Sequence, residues 1–140
     1  MSSILVSHIG IAVADLEDAI GHYAAITGCR EPMIEELMDQ KVKVAIFTAT
    51  GKQGDFPGGR IELVAPLSSD SPVASFLAQR GEGLHHICIY VDNLERKLAE
   101  LKKAGIKLID RVPRIGAEGK KIAFIHPSDM NGVLIELEER

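Results

Sequence analysis

Short alternating stretches of apolar and polar residues are separated along the chain by runs with helical spacing. Ile4-Leu5-Val6 leads into His8, and then Ile9, Ile11 and Val13 alternate with Gly10 and Ala12, which predicts a strand with small residues on one face. Asp15 stands where a helix cap belongs. Leu16, Ala19, Ile20, Tyr23, Ala24 and Ile26 keep helical spacing, and Gly28 occupies the glycine position past a helix end. Glu31 to Asp39, acidic and containing Pro32, predicts a strand and a turn. Val42, Val44 and Ile46 alternate with Lys43 and Ala45 as the next strand. Gly51, Gly54, Pro57, Gly58 and Gly59 make Thr50 to Gly59 a long hairpin loop, and Ile61 to Ala65 a strand beyond it.

The second half repeats the plan. Pro66 to Ser71 connects to a short helix with Pro72 in its first turn, running to Leu77-Ala78 and ended by Gly81 and Gly83. His86 to Val91 reads as a strand, Asn93 as a cap, and Leu94, Leu98 and Leu101 as the buried stripe of a helix closed by Gly105. Ile106 to Ile109 predicts a short strand, Arg114 to Lys120 a glycine-bearing loop, and Ile122 to Ile125 and Val133 to Leu137 two strands joined through His126-Pro127-Ser128-Asp129. The order is β-α-β-β-β, twice. The expected class is α+β: two such modules, about 4–66 and 84–138, each a curved sheet with a helix on one side, enclosing a cleft within one domain.

The halves also match residue by residue. His8 falls on His86, Val13 on Val91, Leu16 on Leu94 and Glu17 on Glu95, and Arg60-Ile-Glu-Leu-Val64 resembles Leu134-Ile-Glu-Leu-Glu138. Each copy has a His near its start and a Glu near its end. Two His and two Glu are a ligand set for a divalent metal ion, and each is mounted on a strand. In Ile61-Glu62-Leu63 and Ile135-Glu136-Leu137 the Glu points away from its apolar neighbours, as an inward-facing ligand requires.

Composition narrows the class. At 140 residues, 46% hydrophobic and 26% charged, the chain can bury a core as one globular domain. No apolar run reaches spanning length and no leader pattern precedes the first strand, which predicts a cytoplasmic protein with no membrane partner. A formal net charge of −4 argues against a nucleic-acid partner. Cys29 and Cys88 are too few for a disulfide framework, and Cys88 reads as a small buried hydrophobe.

Each candidate has a plainer reading. A lone strand-end histidine such as His8 is more often bonded to backbone, and a lone Glu62 or Glu136 more often lies on a solvated face. The shared register of His8 and His86 reverses those odds. His85 reads as a residue behind the site or in solvent, and His22 as a surface residue. His126 fits a structural bond and a substrate contact equally well. Lys120 and Lys121 are candidates for binding phosphates, although adjacent lysines usually mark a solvated turn.

The chain resembles the vicinal-oxygen-chelate superfamily, which includes glyoxalase I, ring-cleaving dioxygenases and methylmalonyl-CoA epimerases. Its likeness to the epimerase family runs from end to end. It is carried by His8-Ile-Gly-Ile-Ala-Val13, Val64-Ala-Pro-Leu-Ser-Ser-Asp-Ser-Pro72, Gly81-Glu-Gly-Leu-His-His-Ile87, Gly116-Ala-Glu-Gly-Lys-Lys-Ile-Ala-Phe-Ile-His-Pro127 and Gly132-Val-Leu-Ile-Glu-Leu137. The first stretch is widespread in the superfamily; the others are more specific. The resemblance implies a metal bound by His8, Glu62, His86 and Glu136, often cobalt, with zinc, nickel and manganese as alternatives. It also implies an acyl-CoA substrate, a homodimer, and CoA phosphates as the partners of Lys120 and Lys121. Two departures stand out. Glu62 occupies a position that is Gln in some epimerases, which moves the set toward glyoxalase I. Val44 occupies a position where some carry a glutamate base, which leaves Glu62 and Glu136 as the candidate bases. The expected reaction is interconversion of (2R)- and (2S)-methylmalonyl-CoA through an enolate. The alternative is a lactoylglutathione lyase of the glyoxalase I type. A fourth ligand argues against a ring-cleaving dioxygenase, and retention of all four argues against a non-catalytic member.

Overall fold

Alternation along each strand sorts the computed structural model into sheet faces under a helix and sheet faces that carry the polar candidates. The structure describes residues 4–48 and 59–140, so the loop expected from Thr50 onward falls, except for Gly59, outside the described residues. The chain divides into a unit of residues 8–85 and a unit joining residues up to Ser7 with residues 86–140.

The first unit takes β1 (Val6–Ala12) from His8 onward, α1 (Leu16–Thr27), β2 (Met33–Leu37), β3 (Val42–Phe47), β4 (Arg60–Pro66), α2 (Pro72–Arg80) and the start of β5 (Gly83–Val91). β1 runs parallel to β4, β4 antiparallel to β3, and β3 antiparallel to β2. Asp15 caps α1 by accepting the Asp18 N–H at 3.1 Å, and Gly28 ends it at φ 78°, a conformation that costs glycine nothing. Ile11, Ala45, Phe47, Ile61, Leu63 and Ala65 form one face of the sheet and pack with Leu16, Ala19, Ile20, Tyr23 and Ala24 of α1. His8, Gly10, Ala12, Val44, Ile46, Glu62 and Val64 alternate onto the other face, with Ile46 directly opposite Glu62 and Val44 opposite Val64.

The second unit takes β5 from His86 onward, then α3 (Leu94–Lys103), β6 (Arg114–Ile115), β7 (Lys121–Ile125) and β8 (Ile135–Glu139). β5 is parallel to β8, and β8–β7 and β7–β6 are antiparallel. Asn93 caps α3 through the Arg96 N–H at 3.0 Å. Ile89, Val91, Ala123, Ile125 and Leu137 pack with Leu94, Leu98 and Leu101 of that helix. His86, Cys88, Ile122, Phe124, Glu136 and Glu138 lie on the opposite face. The β-α-β-β-β plan therefore appears twice, in an α+β chain, with a helix behind each sheet. Among the described residues no helix is long and apolar enough to cross a membrane.

The differences from expectation are local. Ile106 to Ile109 is not a strand: Leu108 makes a single bridge to Ile125. The backbone N–H groups of Ile109 and Asp110 both go to the Phe124 carbonyl, and the Asp110 carboxylate accepts the Phe124 N–H at 2.8 Å. A side chain thus takes the donor that would have continued the ladder. The edge strand is instead β6, inside the stretch expected to be loop. Just beyond it, a Cβ on Gly116 would come within 2.9 Å of the Ile122 side chain, so only glycine lets the chain cross there undisturbed. β5 starts at Gly83, before the expected His86, and β8 starts two residues later than expected.

Leu98 is 2% exposed at the centre of the second core. Leu98→Ala is expected to lower stability by about 3 kcal/mol, measured as a fall in the urea midpoint with an unchanged slope. A loss under ~1 kcal/mol would mean that α3 does not anchor this sheet.

Candidate metal centre

Strand register brings each histidine to its glutamate. In the first unit His8 stands two residues before Gly10, which faces Glu62 across the parallel β1–β4 pair. In the second, His86 stands two residues before Cys88, which faces Glu136 across the parallel β5–β8 pair. The same offset has the same consequence. His8 Nδ1 lies 3.1 Å from Glu62 Oε2, and His86 Nε2 lies 3.1 Å from Glu136 Oε1. All four side chains are buried, at 3, 4, 6 and 6% exposure in the order His8, Glu62, His86, Glu136.

A buried carboxylate is tolerated only beside compensating charge or donors. Each unit offers an imidazole nitrogen and a carboxylate oxygen at one spacing, on rigid strands. That N/O donor set suits a first-row divalent cation. Their surroundings keep water away. Ile46 faces Glu62 across β3–β4, and Val44, at 2% exposure, lies on the same sheet face. In the other unit the Phe124 ring stands edge-on to His86 at 6.0 Å, and the Arg114 guanidinium sits over that ring at 5.4 Å. Asp110 Oδ2 lies 3.5 Å from Arg114 Nε.

The remaining candidates fall elsewhere. His126 Nδ1 accepts the Ser128 N–H at 3.0 Å, a bond that shapes the turn before β8. Lys121 alternates onto the helix side of β7, within 3.8 Å of Glu95 and 3.9 Å of Glu139. Lys120 is exposed in the turn before β7. His85 packs against Phe76, ring edge to face at 4.9 Å. One buried group escaped the sequence reading: Glu138, 3% exposed, takes a 3.1 Å hydrogen bond from Ser7 Oγ, with Cys88 Sγ at 3.9 Å from the same oxygen. The signal was present, since alternation along β8 sends Glu138 to whichever face receives Glu136.

Residues 7–124 match the model of the glyoxalase/bleomycin resistance protein/dioxygenase superfamily. The chain belongs to that superfamily. It is 40% identical to the mitochondrial methylmalonyl-CoA epimerase of Homo sapiens, over 95% of this chain and 72% of that one. It is 38% identical to an ethylmalonyl-CoA/methylmalonyl-CoA epimerase of Cereibacter sphaeroides, over 95% of this chain and 96% of that one. Among solved structures, a methylmalonyl-CoA epimerase in complex with methylmalonyl-CoA and ammonium matches with a TM-score of 0.89 at 33% identity, covering 99% of this chain and 95% of the other. The doubled module seen here is thus the superfamily's fold, with its histidines and glutamates on paired parallel strands.

Removing one nitrogen donor should weaken metal binding without unfolding the chain, because His86 lies on the sheet face opposite the α3 core. His86→Ala is expected to bind Co²⁺ or Zn²⁺ at least tenfold more weakly in equilibrium dialysis, with an unchanged circular dichroism spectrum. Wild-type affinity in this variant would remove His86 from the ligand set.

Proposed function

We propose that this protein is a methylmalonyl-CoA epimerase, interconverting the (2R) and (2S) thioesters by moving the C2 proton. The observation that carries the reading is similarity over at least 95% of this chain to proteins of that name, including a structure holding methylmalonyl-CoA, in a chain that has two buried His–Glu pairs. His8, Glu62, His86 and Glu136 are the residues that would hold a divalent cation. When bound, the cation supplies Lewis-acid charge to the thioester oxygen on which enolate charge builds.

The chain's own residues do the rest. His8 and His86 would contribute ring nitrogens to the ligand set. Glu62 and Glu136, from pseudo-equivalent strands, serve the two faces of C2. One removes the proton, and the conjugate acid of the other returns one to the opposite side. A carboxylate committed to a cation is a weak base, so the active glutamate must loosen as substrate enters. The apolar neighbours Val44, Ile46 and Val64 lower the local polarity, which strengthens each charge interaction during the transfer. Val44 carries no titratable group, which supports placing both transfers on the paired glutamates. The same reading takes cobalt as the ion, a homodimer as the assembly and the cytoplasm as the location.

Glu62 gives a second reading its one support, because a carboxylate at that position also suits a glyoxalase I. The two separate in deuterated water. Supplied with either stereoisomer of methylmalonyl-CoA and a divalent ion, the protein is expected to incorporate deuterium at C2 and to invert it. It should leave the hemithioacetal of methylglyoxal and glutathione essentially unturned. Efficient formation of lactoylglutathione with no exchange on methylmalonyl-CoA would replace the epimerase with the lyase.

The two-base assignment has its own signature. Glu62→Gln and Glu136→Gln keep size and an oxygen donor but lose basicity. Once metal content is matched to wild type, each variant should exchange the C2 proton of one stereoisomer with retention and leave the other inert, with opposite preferences. Near-wild-type interconversion by both loaded variants would show that neither glutamate is an essential base.

A further inference from the structure

The two modules differ at one buried position beside the proposed ligands. Two residues past Glu62, the first module has Val64, 5% exposed. Two residues past Glu136, the second has Glu138, 3% exposed. The fold accepts valine at this place in the strand, and a buried carboxylate carries a desolvation cost of several kcal/mol that an aliphatic side chain does not. Stability alone therefore does not account for Glu138.

What Glu138 touches indicates the work. Its Oε1 accepts the Ser7 hydroxyl at 3.1 Å, and Cys88 Sγ lies 3.9 Å from the same atom. Ser7 is joined by one peptide bond to His8. Cys88 lies two residues beyond His86 on the same face of β5 and directly opposite Glu136. Across the other edge of β8, Glu136 and Glu138 face Phe124 and Ile122, so the carboxylate is walled by apolar side chains and its position is narrowly set. One oxygen thus contacts the residue before His8 and the residue that follows His86 on its sheet face and stands opposite Glu136. Ligand orientation set by hydrogen-bonded carboxylates behind the donors typically changes metal affinity by about 10–100-fold.

We propose that Glu138 is a positioning residue for the metal centre, acting through Ser7 on the strand start that presents His8 and through Cys88 on the strand that presents His86. The inference rests on the metal-binding reading above and extends it to a residue outside the ligand set. Its valine counterpart in the other module makes Glu138→Val the natural substitution.

The test is titration of the metal-free protein with Co²⁺, read by calorimetry and by the visible cobalt absorption band, alongside the thermal midpoint. Glu138→Val is expected to stay folded, to bind cobalt at least tenfold more weakly and to show a shifted band. Glu138→Gln keeps an acceptor oxygen for Ser7 and Cys88 and should recover most of the affinity and the wild-type band. Ser7→Ala should weaken binding in the same sense, and the double variant Ser7→Ala/Glu138→Val should be no weaker than Glu138→Val alone. A Glu138→Val protein with wild-type affinity and band would overturn the proposal while leaving the ligand set intact. If Glu138→Val fails to fold, wild-type cobalt binding by Ser7→Ala would overturn it equally. A wild-type protein that binds no divalent ion would instead overturn the metal reading on which the inference stands.

Discussion

Parallel strand pairing is the constraint on which the site depends. A histidine near the start of one strand and a glutamate near the middle of its parallel neighbour meet only if the register is held, and a one-residue slip of either strand would send its member of the pair to the opposite face. In each unit the register is anchored from behind. Leu63 and Ala65 are committed to the core beneath α1, and Leu137 to the core beneath α3. Glu62 and Glu136, adjacent in sequence to those residues, are thereby forced onto the other face. The helix cores do more than stabilise the sheets: they determine where the carboxylates point.

The same logic explains how the chain tolerates so much buried charge. Glu62, Glu136 and Glu138 are each at most 6% exposed, and each meets a donor or a partner at hydrogen-bond range. Leaving any one of them unmatched would cost several kcal/mol, a large share of a typical domain's net stability. The arrangement is therefore a poor way to build a core and a good way to hold a cation.

Pseudo-symmetry supplies two similar halves. The departures from symmetry are as informative as the repeat. Val64 against Glu138 and Gly10 against Cys88 concentrate the polar support in the second module. The Arg114–Phe124–His86 stack has apolar Ile46 where Phe124 stands, since each faces the glutamate of its own module. Two halves built from one plan thus carry different groups beside their His–Glu pairs.

Much of this was legible in the chain itself. The period-two and helical patterns, the caps Asp15 and Asn93, the stop at Gly28 and the matched registers of His8 with His86 and Glu62 with Glu136 are local or repeated signals, and the structure keeps them. Other features arose only in three dimensions. Ile106 to Ile109 had the composition of a strand, but the Asp110 side chain captured the Phe124 N–H and limited pairing to one bridge. The bond from the Ser128 N–H to His126 Nδ1, which shapes the turn before β8, is visible only in the fold. Glu138 escaped the sequence reading because its partner Ser7 lies 131 positions away, a separation no periodicity encodes. Sequence determined which residues could meet, because alternation and repetition are properties of the chain. Tertiary structure decided which polar groups are paired, because burial and long-range hydrogen bonds exist only after the strands have found their neighbours.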